Sequence, residues 1–207
     1  MLRQFSVTLF ASISLMLWII EAPVARPARR VAPPADIVGT LSGSCTVQGY
    51  GERGKAVRVG DTVIASARCK LELRMTNGSE ILLSSGSRMS ILSSSAGGTD
   101  THVNLTLTQG LLQAVLPSTS GSPSFEISTP VGTASVRSGP ANWFVYSQAD
   151  SAQVGVLEGT VDLTSAATRR SVSIPAHWGT RLESNRDPVL LRIWPENQFD
   201  GFRRLTQ

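Results

Sequence analysis

From Ile37 onward, apolar and polar residues alternate in short bursts: "KLELRM", "EILLSS", "HVNLTLTQ", "LLQAVL", "FEIST", "TASVR", "WFVYS", "AQVGVLE", "TVDLT", "SVSI" and "LLRIW". A period of two puts successive side chains on opposite faces of an extended chain, so each burst predicts a short strand with one face buried. Turn-forming pairs separate them, among them Gly60-Asp61, Asn77-Gly78, Gly86-Ser87, Gly97-Gly98 and Gly139-Pro140. Many short strands at this spacing predict an all-β domain, either a compact β-roll or short solenoid, or a sandwich. Asn77-Gly78 between "KLELRMT" and "SEILLS" is the clearest hairpin signal, since both residues tolerate the positive φ of a type I′ turn. An internal echo runs through the pattern. "LTLTQGLLQAVL" (Leu105 to Leu116) and "VGVLEGTVDL" (Val154 to Leu163) both read apolar strand, polar residue, glycine, apolar strand. A glycine there lets the chain reverse tightly or bulge. The last segment, "ENQFDGFRRLTQ", breaks the alternation and is expected to be a short helix or tail.

Composition narrows the class. The chain has 207 residues, 41% apolar and 16% charged, which is too greasy and too weakly charged for disorder. The formal charge of +4 is concentrated at the N-terminus: residues 1–35 hold four arginines against one glutamate, leaving 15 Lys or Arg against 14 Asp or Glu in the remainder. A nearly neutral domain has no broad field for collecting phosphates, so nucleic acid is not an expected partner. Phe5 to Ile20 forms 16 uncharged residues behind Arg3, the length of a signal-peptide apolar region. Export is therefore expected, with residues 1–25 either a cleaved signal peptide or an uncleaved anchor, the only contact with a membrane. Residues 26–36, "RPARRVAPPAD", form a Pro/Ala/Arg linker. Cys45 and Cys69, alone in the chain, most simply form one disulfide in an exported domain.

Chemistry is thin. His102 and His177 each lack a second His or a Cys at metal-ligand spacing. No serine sits in a nucleophile frame, and no pair of acids stands out. No cofactor, metal or catalytic group is expected. Arg137 in "TASVRSG" either braces a turn or grips a carboxylate or carbonyl of a partner. Trp143 and Phe144 are adjacent, so in a strand they face opposite sides: one is expected in the core, the other exposed or at an interface. Trp178 and Trp194, half-exposed, are candidates for a sugar- or peptide-binding strip, or for covering the core.

The order of these motifs resembles the FecR domain, a bacterial envelope module. "VGTLSGSCTVQ" resembles its opening strand, and "VRVGDTVIASARCKLELRMTNGSEILL" its Gly-Asp turn, strand and hairpin. "LTQGLLQAVL" resembles its central strand-Gly-strand, and "TPVGTASVR…WFVYS…VGVLEGTVDL", with Arg137 and Gly159, its most diagnostic part. The likeness spans residues 37–183, followed by a C-terminal strand and tail at 184–207. Two departures stand out: "VRSGPANWF" replaces the family's Val-Arg-Gly-Thr turn, and only four residues precede the apolar run, so no cytoplasmic anti-sigma segment is expected. The resemblance implies a non-catalytic exported domain working as a scaffold or signalling module on an envelope protein or cell-wall component. The alternatives are a membrane-anchored sensor in sigma-factor regulation and a carbohydrate-binding module.

Overall fold

The alternating segments become fifteen strands and one helix in the computed structural model, which describes residues 37–43, 55–97, 100–118, 124–137 and 139–206. All of these lie in the unit Pro34–Gln207. The expected leader, the linker and Cys45 fall outside the described residues, and no described helix is long and apolar enough to cross a membrane. In chain order the strands are β1 (Ile37–Gly43), β2 (Lys55–Arg58), β3 (Thr62–Ile64), β4 (Leu71–Met75), β5 (Glu80–Leu83), β6 (Arg88–Gly97), β7 (Asp100–Leu116) and β8 (Ser124–Ser128). They continue with β9 (Gly132–Val136), β10 (Ala141–Ser147), β11 (Ser151–Glu158), β12 (Thr160–Ser165), β13 (Ser171–Pro175), β14 (Trp178–Glu183) and β15 (Arg192–Ile193), then helix α1 (Glu196–Thr206).

The fold is a sandwich whose two sheets share β7. Sheet I runs β2-β1-β4-β5-β7-β10-β11-β14-β15; sheet II runs β3-β6-β7-β8-β9-β12-β13. The C-terminal half of β7 pairs with β5 and β10 in sheet I, and its N-terminal half with β6 and β8 in sheet II. Every pairing is antiparallel except β7 with β8. Between the sheets lies one core, from Leu73 and Ile81 on one side to Phe125, Ile127 and Leu163 on the other.

β7 can serve both sheets because its alternation changes phase. Val103, Leu105 and Leu107 point into the core before the bend, and Leu112, Ala114 and Leu116 after it. The buried set passes from odd to even numbers, which a regular strand of period two cannot do. The slip occurs at Gly110, at φ 96°, a conformation open to glycine and strained for any residue with a Cβ. The same slip separates Val154 and Val156 of β11 from Val161 and Leu163 of β12. Gly159, at φ 84°, carries the chain from sheet I to sheet II there. The sequence echo therefore marks two crossings from one sheet to the other.

The Gly110 bend is held by hydroxyls. Ser87 Oγ accepts the Leu111 N–H at 3.0 Å and donates to the Leu111 carbonyl at 3.0 Å. The Ser84 N–H donates to that same carbonyl at 3.0 Å. Both serines are buried, so the strand that leaves regular pairing at the bend still has its polar groups satisfied.

The Asn77-Gly78 hairpin forms, but with a different turn from the one expected. Gly78 sits at φ 84° and Asn77 is not among the positive-φ residues, so a type I′ turn is excluded. Met75 N–H reaches the Ser79 carbonyl at 2.8 Å, closing a three-residue loop with glycine in the left-handed position. The reason is local: Asn77 Oδ1 accepts the Ser79 N–H at 3.0 Å, which holds the asparagine on the near side of the turn.

The C-terminal segment is a helix and not a tail. Phe199, Phe202 and Thr206 recur at helical spacing and face the outer side of sheet I. Thr206 Oγ1 bonds to Gln113 Oε1 at 3.1 Å, and Gln113 in turn to Asn142 at 2.9 Å, tying the helix end to the sheet.

Gly86 and Gly110 both need positive φ, but a Cβ at Gly86 meets open space, whereas one at Gly110 falls 2.5 Å from Ser87 Cα. Gly86→Ala is predicted to lower stability by about 1 kcal/mol, and Gly110→Ala by about 3 kcal/mol or more. Urea unfolding of both variants checks this, and equal losses would mean that the bend is not tightly packed.

Candidate functional site

A concavity lies beside the bend that joins the sheets. A cavity of about 780 Å³ opens beside Gly110, walled by the Ser84–Gly86 turn, the end of β10 and the last turn of α1. Arg68, Lys70 and Arg204 line it together with Tyr146, Gln153 and Phe202, and no Asp or Glu does among the described residues. Lys70 Nζ donates to the Arg204 carbonyl at 2.8 Å, bridging β4's leading edge to the helix end. Arg68 sits at φ 66°, which costs a non-glycine residue about 1–2 kcal/mol. It is held there by its N–H donating to Ser85 Oγ at 2.7 Å, while that hydroxyl donates to the Ser66 carbonyl. A guanidinium is thus kept at the cavity mouth at the expense of backbone strain.

The aromatic wall of the cavity is the edge of a second core. Leu111 and Phe144 on the outer face of sheet I are buried with Trp194 and Phe199, and Phe202 packs against them. The Trp194 ring lies 5.5 Å from that of Phe202, and Phe144 lies 5.4 Å from Phe202, both stacked. Trp194 fits because Gly155 and Gly179 face one another across β11 and β14. A Cβ on either would come within 2.1 Å of the indole. Two opposed glycines leave a flat floor, and the ring covers it in place of the missing side chains.

The residues singled out by sequence lie apart from this cavity. Trp143 is in the central core, edge-on to Phe125 at 5.6 Å, and its Nε1 has no hydrogen-bond partner. Phe144 is buried too, so neither ring of the pair reaches the surface; the face expected to be exposed is covered by α1. Trp178 is half-buried against the central core. Gly159 works through the backbone, its Cβ position lying 2.6 Å from the Pro140 carbonyl. Arg137 is 83% exposed, with Nε 3.9 Å from Asp162 Oδ2, while Asp162 also accepts from the Ser173 hydroxyl. So long and wet a pair contributes little. Cys69 is buried at the entry to β4, and no free cysteine is found among the described residues. His177 is a turn residue at φ 66°, and no cluster of three metal-ligating side chains occurs among the described residues.

The cavity itself was missed. Arg68 and Lys70 flank Cys69, and Arg204 belongs to an arginine pair in no recognisable motif. Its neighbour Arg203 is engaged on the surface, with Glu196 at 2.7 Å and Asp200 at 2.8 Å. Their hydrogen bonds, Glu196's foremost, hold its guanidinium pKa above the ordinary value. Only the fold brings residues 68, 146 and 204 together.

Fold and site together define a class: a two-sheet β-sandwich with crossing strands, one face capped by a helix, and no assembled catalytic group among the described residues. Residues 61–162 match the family model described as FecR protein, so that stretch of the chain is similar to a FecR domain. The matched stretch lies inside the 37–183 likeness and covers both crossing glycines. No curated protein matches the chain. Among solved structures it is similar to a candidate anti-sigma factor from Parabacteroides distasonis ATCC 8503. The crystal structure of that protein at 1.65 Å resolution gives a TM-score of 0.56 at 12% identity, covering 69% of this chain and 64% of that one. A second crystal structure at 2.50 Å gives 0.54, with the same identity and coverage. The likeness spans just under two thirds of that protein's length and concerns the fold.

Replacing Arg137 with alanine is expected to change stability by no more than about 0.5 kcal/mol. Phe144→Ala, by emptying the second core, is expected to cost about 3–5 kcal/mol. Thermal melts of the two variants check this contrast, and a large loss for Arg137→Ala would give that arginine a bracing role.

Proposed function

We propose that this chain is an exported, non-catalytic FecR module of a bacterial cell envelope that binds a protein partner in cell-surface signalling. The observation that carries this reading is the FecR match over residues 61–162, which falls on the part of the fold that joins the two sheets. The candidate anti-sigma factor that shares the fold supports signalling over a purely scaffolding role. Phe5–Ile20 would direct export, cleaved or retained as an anchor. In that compartment Cys45 and Cys69 would pair, stabilising the domain by about 3 kcal/mol through loop closure. The partner surface is expected at the sheet edges, where β13 ends sheet II with Ser171 and Ser173 exposed. A carbohydrate platform has less support, since Trp143 and Trp194 are inside the protein.

Two measurements on the full chain in cells test this. Acid-quenched cells are alkylated before and after reduction: both cysteines should resist labelling until reduced, and ready labelling of both would place the protein in a reducing compartment. A photo-crosslinking residue at Ser173 should then give a discrete protein adduct, and none with the crosslinker at the buried Phe125.

A further inference from the structure

We infer that the cavity beside Gly110 is a binding site for an acidic, extended segment of a protein partner. The assignment rests on the proposed protein-binding role and adds to the β13 edge a second surface, with its own chemistry. Arg68 and Lys70 of the loop before β4 and Arg204 of α1, distant in sequence, converge on one concavity of about 780 Å³, and no carboxylate is found among its described lining residues. Arg74, Arg137, Arg170, Arg181, Arg186 and Arg203 all have acidic neighbours within 4.0 Å. Among the described residues no such neighbour is found for Arg68 or Arg204. Two guanidinium groups, Arg68 and Arg204, with no carboxylate within reach among the described residues favour a ligand that brings its own.

Three further features select a peptide over a bare anion. Part of the lining is apolar and aromatic, built from Tyr146, Phe202 and Leu111, and suits an apolar side chain between acidic ones. Gln153, on β11, adds an amide to the lining, suited to a peptide backbone. Arg68 is held at positive φ by the Ser85 hydroxyl, a strained backbone that a glycine would relax. Such strain persists where the surrounding structure imposes it, often at ligand sites. Its use here is to present the guanidinium at the cavity mouth.

The test is a titration of the full chain with the peptide acetyl-Asp-Leu-Asp-Phe, alongside acetyl-Asn-Leu-Asn-Phe-amide and succinate, followed by amide NMR shifts. Saturable binding of the acidic peptide is expected, with shifts concentrated at residues 68–70, 84–86, 109–111, 146–149 and 202–205. Arg204→Glu should weaken it at least tenfold. Arg68→Gly should also weaken it at least tenfold while keeping or raising the melting temperature, a combination that a merely structural arginine would not give. Absence of saturable binding, equal binding of the neutral peptide, succinate binding as tight as the peptide, or shifts lying elsewhere would each overturn the assignment. Reducing-compartment labelling of the cysteines would instead sink the export reading whatever the peptide does. A Ser173 adduct without peptide binding would sink the cavity and leave the module standing.

Discussion

One hydroxyl group holds the two sheets to a common strand. Ser87 Oγ bridges the N–H and carbonyl of Leu111 just after the Gly110 bend, and the Ser84 N–H completes that carbonyl's bonding. A strand that shifts phase must leave some backbone groups without ladder partners, and buried groups of that kind cost about 1–3 kcal/mol each if left alone. Here they are satisfied, so β7 can give its first half to sheet II and its second half to sheet I while both halves face the same core.

The rest of the molecule is arranged around that bend. Because the phase slips at Gly110, Leu111 points to the outer face of sheet I, where it joins Phe144, Trp194 and Phe199. Helix α1 closes over this second core, and its last turn stops beside the bend, forming one wall of the cavity. An eleven-residue helix is too short to be stable in isolation; its docking comes from aromatic stacking and the Thr206–Gln113 bond. Core, cap and cavity therefore share one structural origin.

Much of the fold was legible in the sequence because alternation of period two is a local signal. The strands around "KLELRM" and "FEIST", the hairpin at Asn77-Gly78 and the repeated strand-Gly-strand plan can all be read from neighbouring residues. The consequence of that repeat, a change of parity in the buried positions across Gly110 and across Gly159, came from the packing. What could not be read is what depends on residues far apart in the chain. Phe144 has the same local pattern whether it meets solvent or a helix 50 positions later. The type of the hairpin turn depended on where the Asn77 side chain bonds. The cavity draws on residues 68, 146 and 204, and no short motif encodes that meeting. Gly159, prominent in the motif pattern, serves the framework, whereas Arg137 makes only a long, exposed pair with Asp162; the cations of the cavity stand in segments whose pattern is unremarkable.

If β7 is the strand on which both sheets depend, its amides must open together. Native-state hydrogen exchange measures this directly. The account predicts that Leu105 and Leu107 in sheet II, and Leu112 and Ala114 in sheet I, exchange only through one shared opening with the free energy of global unfolding. Separate openings for the two halves, with different free energies and different denaturant dependence, would show two independently stable sheets and contradict it.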